Sequence, residues 1–356
     1  MSHYTPTNPT VSVLMAVHDA GATVRRCVES LQGQTLANFE LVAVDAGSDD
    51  DTLRQLEALA ERDMRVRVVQ AGPCSRPEAL NLSLERARGR YVLVMDSRGW
   101  AERTMLQGLV DLASEGSLEL AMGGFAVSLL TGGGRSASME AAGEDALFPT
   151  QHDFRAAAWG PFASGQMLSS CAKLFLREYL VDHEVRFSAG GGFDHAFVIS
   201  ALADVERVGA LGGVCCHVGR RLAPFLGSDA AMGGYRRLEE EHDALLALYR
   251  HWGLEGDAAS MDMLQSRYVE RLLGCIEGVC GKMSRLPSAE QRRIVATMIE
   301  TDRAQVAASV AHPRGSAARA MLAPIRSKNA ALVCVQTRLL SFVSPGIARV
   351  TPDLFA

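Results

Sequence analysis

Residues 91–100 read Tyr-Val-Leu-Val-Met-Asp-Ser-Arg-Gly-Trp. The run 91–95 has the length and composition of a strand buried on both faces, as in a parallel sheet. It delivers Asp96 to a strand end. Working outward, residues 11–17 (Val-Ser-Val-Leu-Met-Ala-Val) form a second continuous apolar run. A helix is expected near 22–32, with Val24, Cys27, Val28 and Leu31 on one face. Residues 39–44 give a strand ending in Asp45-Ala46-Gly47-Ser48-Asp49-Asp50. Ser48 or Asp49 is the expected N-cap of the next helix, whose apolar face is Leu53, Leu56, Leu59 and Ala60. A strand at 66–69 and a helix at 77–88 follow, with Pro77 in the helix's first turn. A helix at 102–113 comes after the quoted strand. This βαβαβαβ alternation predicts a doubly wound, mostly parallel α/β sheet. Such sheets bind ligands beyond the carboxyl ends of their strands, where His18, Asp19, Asp45 and Asp96 all fall.

Further along, strands are expected at 118–122 and 125–130, the second running into Gly132-Gly133-Gly134. Residues 135–165 read as loop-rich, an acceptor-side insertion. Residues 166–182 read as helix. Gly190-Gly191-Gly192-Phe193-Asp194 is a loop opening a helix at 195–203. Strands at 205–211 and 214–218 follow. Beyond residue 230 the pattern is all helical, with amphipathic segments near 233–252, 258–283, 288–309 and 315–343. The expected division is an α/β domain at 1–225 and a helical domain at 226–356.

A chain of 356 residues is long enough for two cores. Its net charge of −5 makes no case for nucleic acid. Lysine occurs three times, at Lys173, Lys282 and Lys328, so nearly all positive charge is arginine, which suits bidentate phosphate contacts. The eight cysteines show no CxxC and no zinc spacing, and read as reduced, buried thiols of a cytoplasmic protein. Residues 1–10 are polar, without the apolar region of a secretory signal. No apolar run reaches the ~20 residues that span a bilayer. A dinucleotide-dependent oxidoreductase is excluded because no GxGxxG follows the first strand.

Several motifs in order resemble the family 2 glycosyltransferases of GT-A fold, of the bacterial polysaccharide-assembly type. Ala16-Val17-His18-Asp19 is similar to the family's "PVYN" turn, and residues 44–50 to "VDDGSTD". Residues 81–91 resemble "NxGLxxAxGEY". Asp96–Trp100 stands where "DSDDW" usually stands, so the DxD motif is degenerate. Residues 173–177 through 185–187 resemble "KLYxRxxL…IRF". Phe193-Asp194 occupies the place of the "ED" that carries the base, and residues 323–329 resemble the tail of the same subgroup.

The resemblance implies inverting transfer of a sugar, hexosyl-like, from a nucleotide-sugar, UDP-linked, to a glycan or lipid-linked acceptor in cell-surface polysaccharide synthesis. It places Ala16, His18, Asp19, Asp45, Asp96, Ser97 and Arg98 at the nucleotide-sugar, with Asp45 accepting from the uracil N3–H. The family neutralises the departing diphosphate with Mn²⁺ or Mg²⁺ held by an Asp-x-Asp pair. Here the second acid is Arg98, so Asp96 is the carboxylate left for an ion, and a metal is in doubt. A guanidinium neutralises phosphate oxygens bidentately, which casts Arg98 as the metal's replacement. The alternative is a surface arginine in a decayed site. Asp194 is the implied general base, or else only a helix N-cap. His217 and Arg220 sit on the acceptor or diphosphate side, although His217 also fits an ordinary half-buried histidine. From Arg303 to Pro352 there are seven basic residues and no acidic one. With Leu322, Ile325, Leu332, Val333, Val335, Leu339 and Leu340, this stretch is a candidate for peripheral contact with the inner face of the cell membrane. The competing reading is an inactive GT-A homologue that binds a glycan or a partner protein; the loss of the second DxD acid, Ala46 and Phe193 all point that way.

Overall fold

The computed structural model describes residues 8–130, 136–163, 165–188, 194–221, 228–282 and 284–343. They divide into two compact units, one up to residue 221 and one from residue 228. The glycine runs 132–134 and 190–192, and Phe193, lie outside the described residues.

In the first unit, β1 (Val11–Val17), α1 (Val24–Gln32), β2 (Phe39–Asp45), α2 (Thr52–Ala60), β3 (Val66–Gln70), α3 (Arg76–Arg86) and β4 (Tyr91–Val94) make the expected alternation. β1, β2 and β4 are buried along their whole length, as continuous apolar runs require. α1 buries Val24, Cys27, Val28 and Leu31, the predicted face. α3 starts at a capping box, Ser75 with Glu78, and holds Pro77 in its first turn. Then come β5 (Gly99–Ala101), α4 (Met105–Glu115), β6 (Leu120–Leu130), β7 (Ser136–Ala141) and β8 (Ala146–Phe148). They are followed by α5 (Gln151–Ala157), α6 (Trp159–Ala163), β9 (Lys173–Leu176), α7 (Arg177–Asp182), α8 (His195–Leu202) and β10 (Val208–Arg221).

The sheet order is β3-β2-β1-β4-β9-β6-β10-β5, with β7 on β6 and β8 on β10. The β3-β2-β1-β4 half is wholly parallel, while β9 enters antiparallel between β4 and β6. The parallel strands put Val17, Asp45 and Met95–Asp96 on one edge of the sheet. At the opposite edge Glu40, fully buried on β2, accepts from Ser12 Oγ (2.7 Å), Arg67 Nη1 (2.7 Å) and Arg88 Nη2 (2.8 Å).

Several sequence expectations change. The helix expected at 166–182 is helical only over α7; residues 173–176 form the central strand β9. Lys173 is fully buried there, its Nζ donating to the Gln166 carbonyl. The paired strands at 118–130 are one strand, β6, and those at 205–218 are one strand, β10. β10 is kinked by a bulge between Ala210 and Cys216, where Gly213 has a positive φ of 79°. α2 is not capped by Ser48 or Asp49: its first turn is held by Asp50, whose Oδ1 accepts from Thr52 N (2.9 Å).

The second unit contains α9 (Ser228–His251), α10 (Ala258–Cys280), α11 (Ser288–Ile299), α12 (Asp302–Val310), α13 (Ser316–Arg326) and α14 (Ala330–Val343). The helix expected at 288–309 breaks where Thr301 caps α12 through Ala304 N, and that at 315–343 breaks at Lys328, whose φ is +53°. The core packs Tyr268, Leu272, Ile276, Val295, Met298 and Met321. Leu322, Ile325 and Val333 belong to this core. They therefore cannot be the membrane-facing residues expected from the sequence. The outward apolar residues of α14 are Leu332, Val335, Leu339 and Phe342.

Candidate active site

Two groups of residues meet the sheet edge to which β1, β2 and β4 point. The first is built on β1 and β2, whose register pairs Val17 with Asp45. Asp45 is buried, and its carboxylate is held by one residue: Oδ1 accepts from Ser48 Oγ (2.6 Å) and Oδ2 from Ser48 N (3.2 Å). The turn between them needs Gly47, which has φ +80°; a Cβ there would lie 2.8 Å from Pro73 N. Asp19, also at positive φ (45°), donates its N–H to Ser48 Oγ (3.1 Å) and accepts from Asp49 N (2.9 Å). His18 is exposed, its Nε2 3.6 Å from Asp19 Oδ2, while Ala16 and Ala46 are buried. Of the residues expected at the nucleotide-sugar, Asp19 and Asp45 are thus joined through Ser48, His18 lies beside Asp19, and Ala16 precedes them on β1.

The second group surrounds Asp96. After β4 the chain turns tightly, Gly99 N donating to Asp96 O (2.9 Å). Arg98 folds back on the carboxylate: its N–H lies 2.8 Å and its Nε 3.2 Å from Asp96 Oδ1. The Arg98 side chain is 55% exposed and reachable from solvent. Ser97 is buried in the turn.

The residue that organises this group is Arg76, in the first turn of α3. Its Nη2 donates to Asp194 Oδ2 (2.9 Å), its Nε lies 3.4 Å from Asp194 Oδ1, and its Nη1 lies 4.0 Å from Asp96 Oδ2. Ser170 Oγ also donates to Asp194 Oδ2 (2.7 Å). Burial works against the Arg76 charge, but the carboxylates of Asp194 and then Asp96 outweigh it and hold the guanidinium above the usual arginine range. Asp194 occupies the N-cap position of α8, yet makes no side-chain capping bond. Its carboxylate faces Arg76 and Ser170 instead, so the simple capping role is not what places it. Beneath the turn, Cys27 Sγ contacts Asp96 O (3.4 Å), and burial, then Asp96, push its thiol far above the ordinary range. It stays protonated and inert.

His217 lies on β10, alongside the strand β5 that leaves the Asp96 turn. It pairs with Trp100 in the β10–β5 register, stacks on that ring (4.7 Å, 3°) and contacts Glu102 Oε1 through Nε2 (2.7 Å). The Arg26 guanidinium lies over the same indole at 3.4 Å. Arg220 follows on β10, with its side chain outside the described residues. Arg76, Ser170 and the Arg26–Trp100–His217 stack were not anticipated from the sequence. The available signal for Arg76 was its place after β3, at the strand-end edge.

A divalent ion does not fit these residues. The carboxylate it would use, Asp96, already faces Arg98 and Arg76, and the second acid is absent. Among the described residues no cluster of three or more His, Cys, Asp or Glu has metal-holding geometry.

The sequence signature of glycosyl transferase family 2 matches residues 12–180. The chain is similar to the uncharacterized glycosyltransferase EpsJ of Bacillus subtilis, 24% identical over 265 residues, covering 70% of this chain and 72% of EpsJ. It is 28% identical over 116 residues to the glycosyltransferase GlyG of Streptococcus pneumoniae, covering 32% of this chain and 38% of GlyG. Among solved structures, S. aureus TarS 1–349 in complex with UDP-GlcNAc superposes with a TM-score of 0.61 at 18% identity, covering 94% of this chain and 92% of that one. The same fragment in complex with UDP gives 0.62. At this identity the likeness establishes the fold.

Proposed function

We propose, because residues 12–180 match the model of glycosyl transferase family 2, that this chain transfers a sugar with inversion from a UDP-sugar to a glycan or lipid-linked acceptor of the cell surface. The observation that carries the reading is the meeting of two carboxylates, Asp96 and Asp194, with two guanidiniums, Arg76 and Arg98, at the sheet edge. Asp19 and Asp45 lie on the nucleoside side. Asp194 takes the proton of the acceptor hydroxyl while the acceptor oxygen bonds to the anomeric carbon. The electron pair of the breaking C–O bond leaves with UDP, and Arg98 and Arg76 neutralise the charge that develops there.

His217 and Arg220 are assigned to the acceptor side, and the β10–β5 stack fixes His217 in orientation. The second unit is assigned a peripheral place at the inner face of the membrane through α14, and the domain boundary is placed near residue 225.

An inactive homologue that binds a glycan or a partner is the rival reading, favoured by Ala46 and by Arg98 lying on Asp96. Calorimetric titration separates the two: UDP is expected to bind equally with Mn²⁺ and with a chelator. Sugar transfer from UDP-GlcNAc, tried as the first donor, should survive chelation and be lost in Asp194→Asn, with the fold intact by circular dichroism. A protein that binds no UDP under either condition is the inactive one.

A further inference from the structure

We propose that Arg76 is a latch on Asp194 which the donor's diphosphate opens, so that the base is released only once the donor is bound. The inference rests on the nucleotide-sugar reading above and deepens it by naming what frees the base.

Three observations carry it. First, Asp194 is not available as it stands. Its Oδ2 accepts from both Arg76 Nη2 (2.9 Å) and Ser170 Oγ (2.7 Å), and Arg76 Nε lies 3.4 Å from Oδ1. A carboxylate gripped on both oxygens by a guanidinium is a poor acceptor for a hydroxyl proton, because protonation must first break charge-assisted bonds. Second, the grip serves no local folding purpose that the sequence would otherwise demand. Asp194 makes no capping bond to α8, and the first turn of α3 is already closed by the Ser75–Glu78 box. Third, Arg76 stands between the two carboxylates and is reachable. Its side chain is 35% exposed while Asp194 is 7% exposed, and its Nη1 already lies 4.0 Å from Asp96 Oδ2.

A diphosphate arriving beside Asp96 and Arg98 offers Arg76 several anionic oxygens in place of one carboxylate. The planar fork of arginine fits phosphate as well as carboxylate. As Arg76 turns to the phosphates, Asp194 keeps only the Ser170 bond and can accept the acceptor's proton. The proton passes from the acceptor hydroxyl to Asp194, the acceptor oxygen bonds to the anomeric carbon, and the C–O electron pair leaves with the nucleoside diphosphate. Arg76 does not touch the reacting carbon; it binds the departing diphosphate and, in leaving Asp194, frees the base.

The latch makes an expectation that a structural role for Arg76 does not share: Asp194 and the diphosphate compete for the same guanidinium. Weakening the competitor should therefore tighten nucleotide binding. UDP affinity is measured by calorimetry for the full chain, for Asp194→Asn, for Arg76→Met and for the double variant, with folding checked by thermal melting. Asp194→Asn is expected to bind UDP about tenfold more tightly than the parent, one charge-assisted bond's worth. That gain should vanish in the Arg76→Met background. If Arg76→Met does not fold, Arg76→Lys replaces it; lysine keeps the charge but not the fork, and the gain should shrink. An equal gain in both backgrounds means simple repulsion between Asp194 and phosphate, and overturns the latch, as does no gain at all. If neither the parent nor Asp194→Asn binds UDP, the nucleotide-sugar reading itself fails and the latch with it.

Discussion

Replacing Arg98 by alanine should cost almost nothing in stability and a great deal in diphosphate binding. The Arg98 side chain is 55% exposed and meets Asp96 at 3.2 Å through Nε and 3.5 Å through Nη2. An ion pair so open to water contributes roughly 0–1 kcal/mol. The turn itself does not depend on it, because the backbone N–H of residue 98 still donates to Asp96 Oδ1 (2.8 Å). Asp96 also keeps Arg76 within 4.0 Å. Binding is a different matter. On a diphosphate held at the sheet edge, the guanidinium makes one or two charge-assisted hydrogen bonds worth about 1.5–3 kcal/mol together. That is about ten- to 150-fold in the UDP dissociation constant. Arg98→Lys should recover part of it, since a point charge remains but the fork is lost. Calorimetry with UDP gives the affinity, urea unfolding gives the stability, and uridine is the control, because it lacks the phosphates and should lose nothing. UDP affinity within about threefold of the parent would refute the assignment. So would an equal loss for uridine and UDP, which would place the defect in the nucleoside pocket rather than at the phosphates.

Two further outcomes follow from other parts of the chain. Glu40→Gln should destabilise the first unit by about 3 kcal/mol in urea unfolding, since the amide carries no charge to offset Arg67 and Arg88 and, with its oxygen toward them, turns its NH2 onto the Arg88 N–H. Burial raises the Glu40 pKa, but the bonds from Ser12, Arg88 and Arg67 outweigh it and leave the value lowered. The contribution is thus present above the unfolded value near about 4.3 and is lost as pH falls through the lower folded value. The gap between parent and Glu40→Gln should narrow on acidification through that window; a gap that widens refutes the pairing. In the second unit, Leu339→Glu and Phe342→Glu should reduce co-sedimentation with vesicles of phosphatidylglycerol and phosphatidylcholine, because Leu332, Val335, Leu339 and Phe342 form the exposed apolar face of α14 beside Arg338. Unchanged sedimentation, or none by the parent, removes the membrane assignment.

What was legible in the sequence was what short-range pattern can carry. The runs at 11–17, 39–44 and 91–95 read as buried strands because both faces are covered, and Asp45 and Asp96 follow as strand-end acids. The α1 face was legible through its 3.6-residue period. β9 was not: Lys173-Leu174-Phe175-Leu176 is a four-residue strand joined directly to helix, and its lysine is buried by a partner, the Gln166 carbonyl, that no periodicity announces. Glu40 interrupts an apolar strand, and its reason lies in Arg67 on β3 and in Arg88 beyond α3. Arg76 was hidden for the same cause, since its partner Asp194 stands 118 residues away. The breaks at Thr301 and Lys328 were missed because apolar spacing continues across them while the backbone does not.

The charge at the sheet edge bears on which ligand the proposed site would favour. Two carboxylates and two guanidiniums within reach of each other leave the site close to neutral before any ligand arrives. A divalent ion approaching Asp96 would meet Arg98 on the same carboxylate and Arg76 4.0 Å away, which lowers what it gains there relative to water. A diphosphate meets the opposite balance. On the proposed reading both guanidiniums turn from carboxylate to phosphate, and the positive charge that a metal ion would bring is supplied from α3 and from the turn after β4. The protein then has to keep that charge from collapsing onto its own base. In the proposed latch Asp194 is held by Arg76 until the donor arrives, and the guanidinium that would stand in for the ion also frees the base.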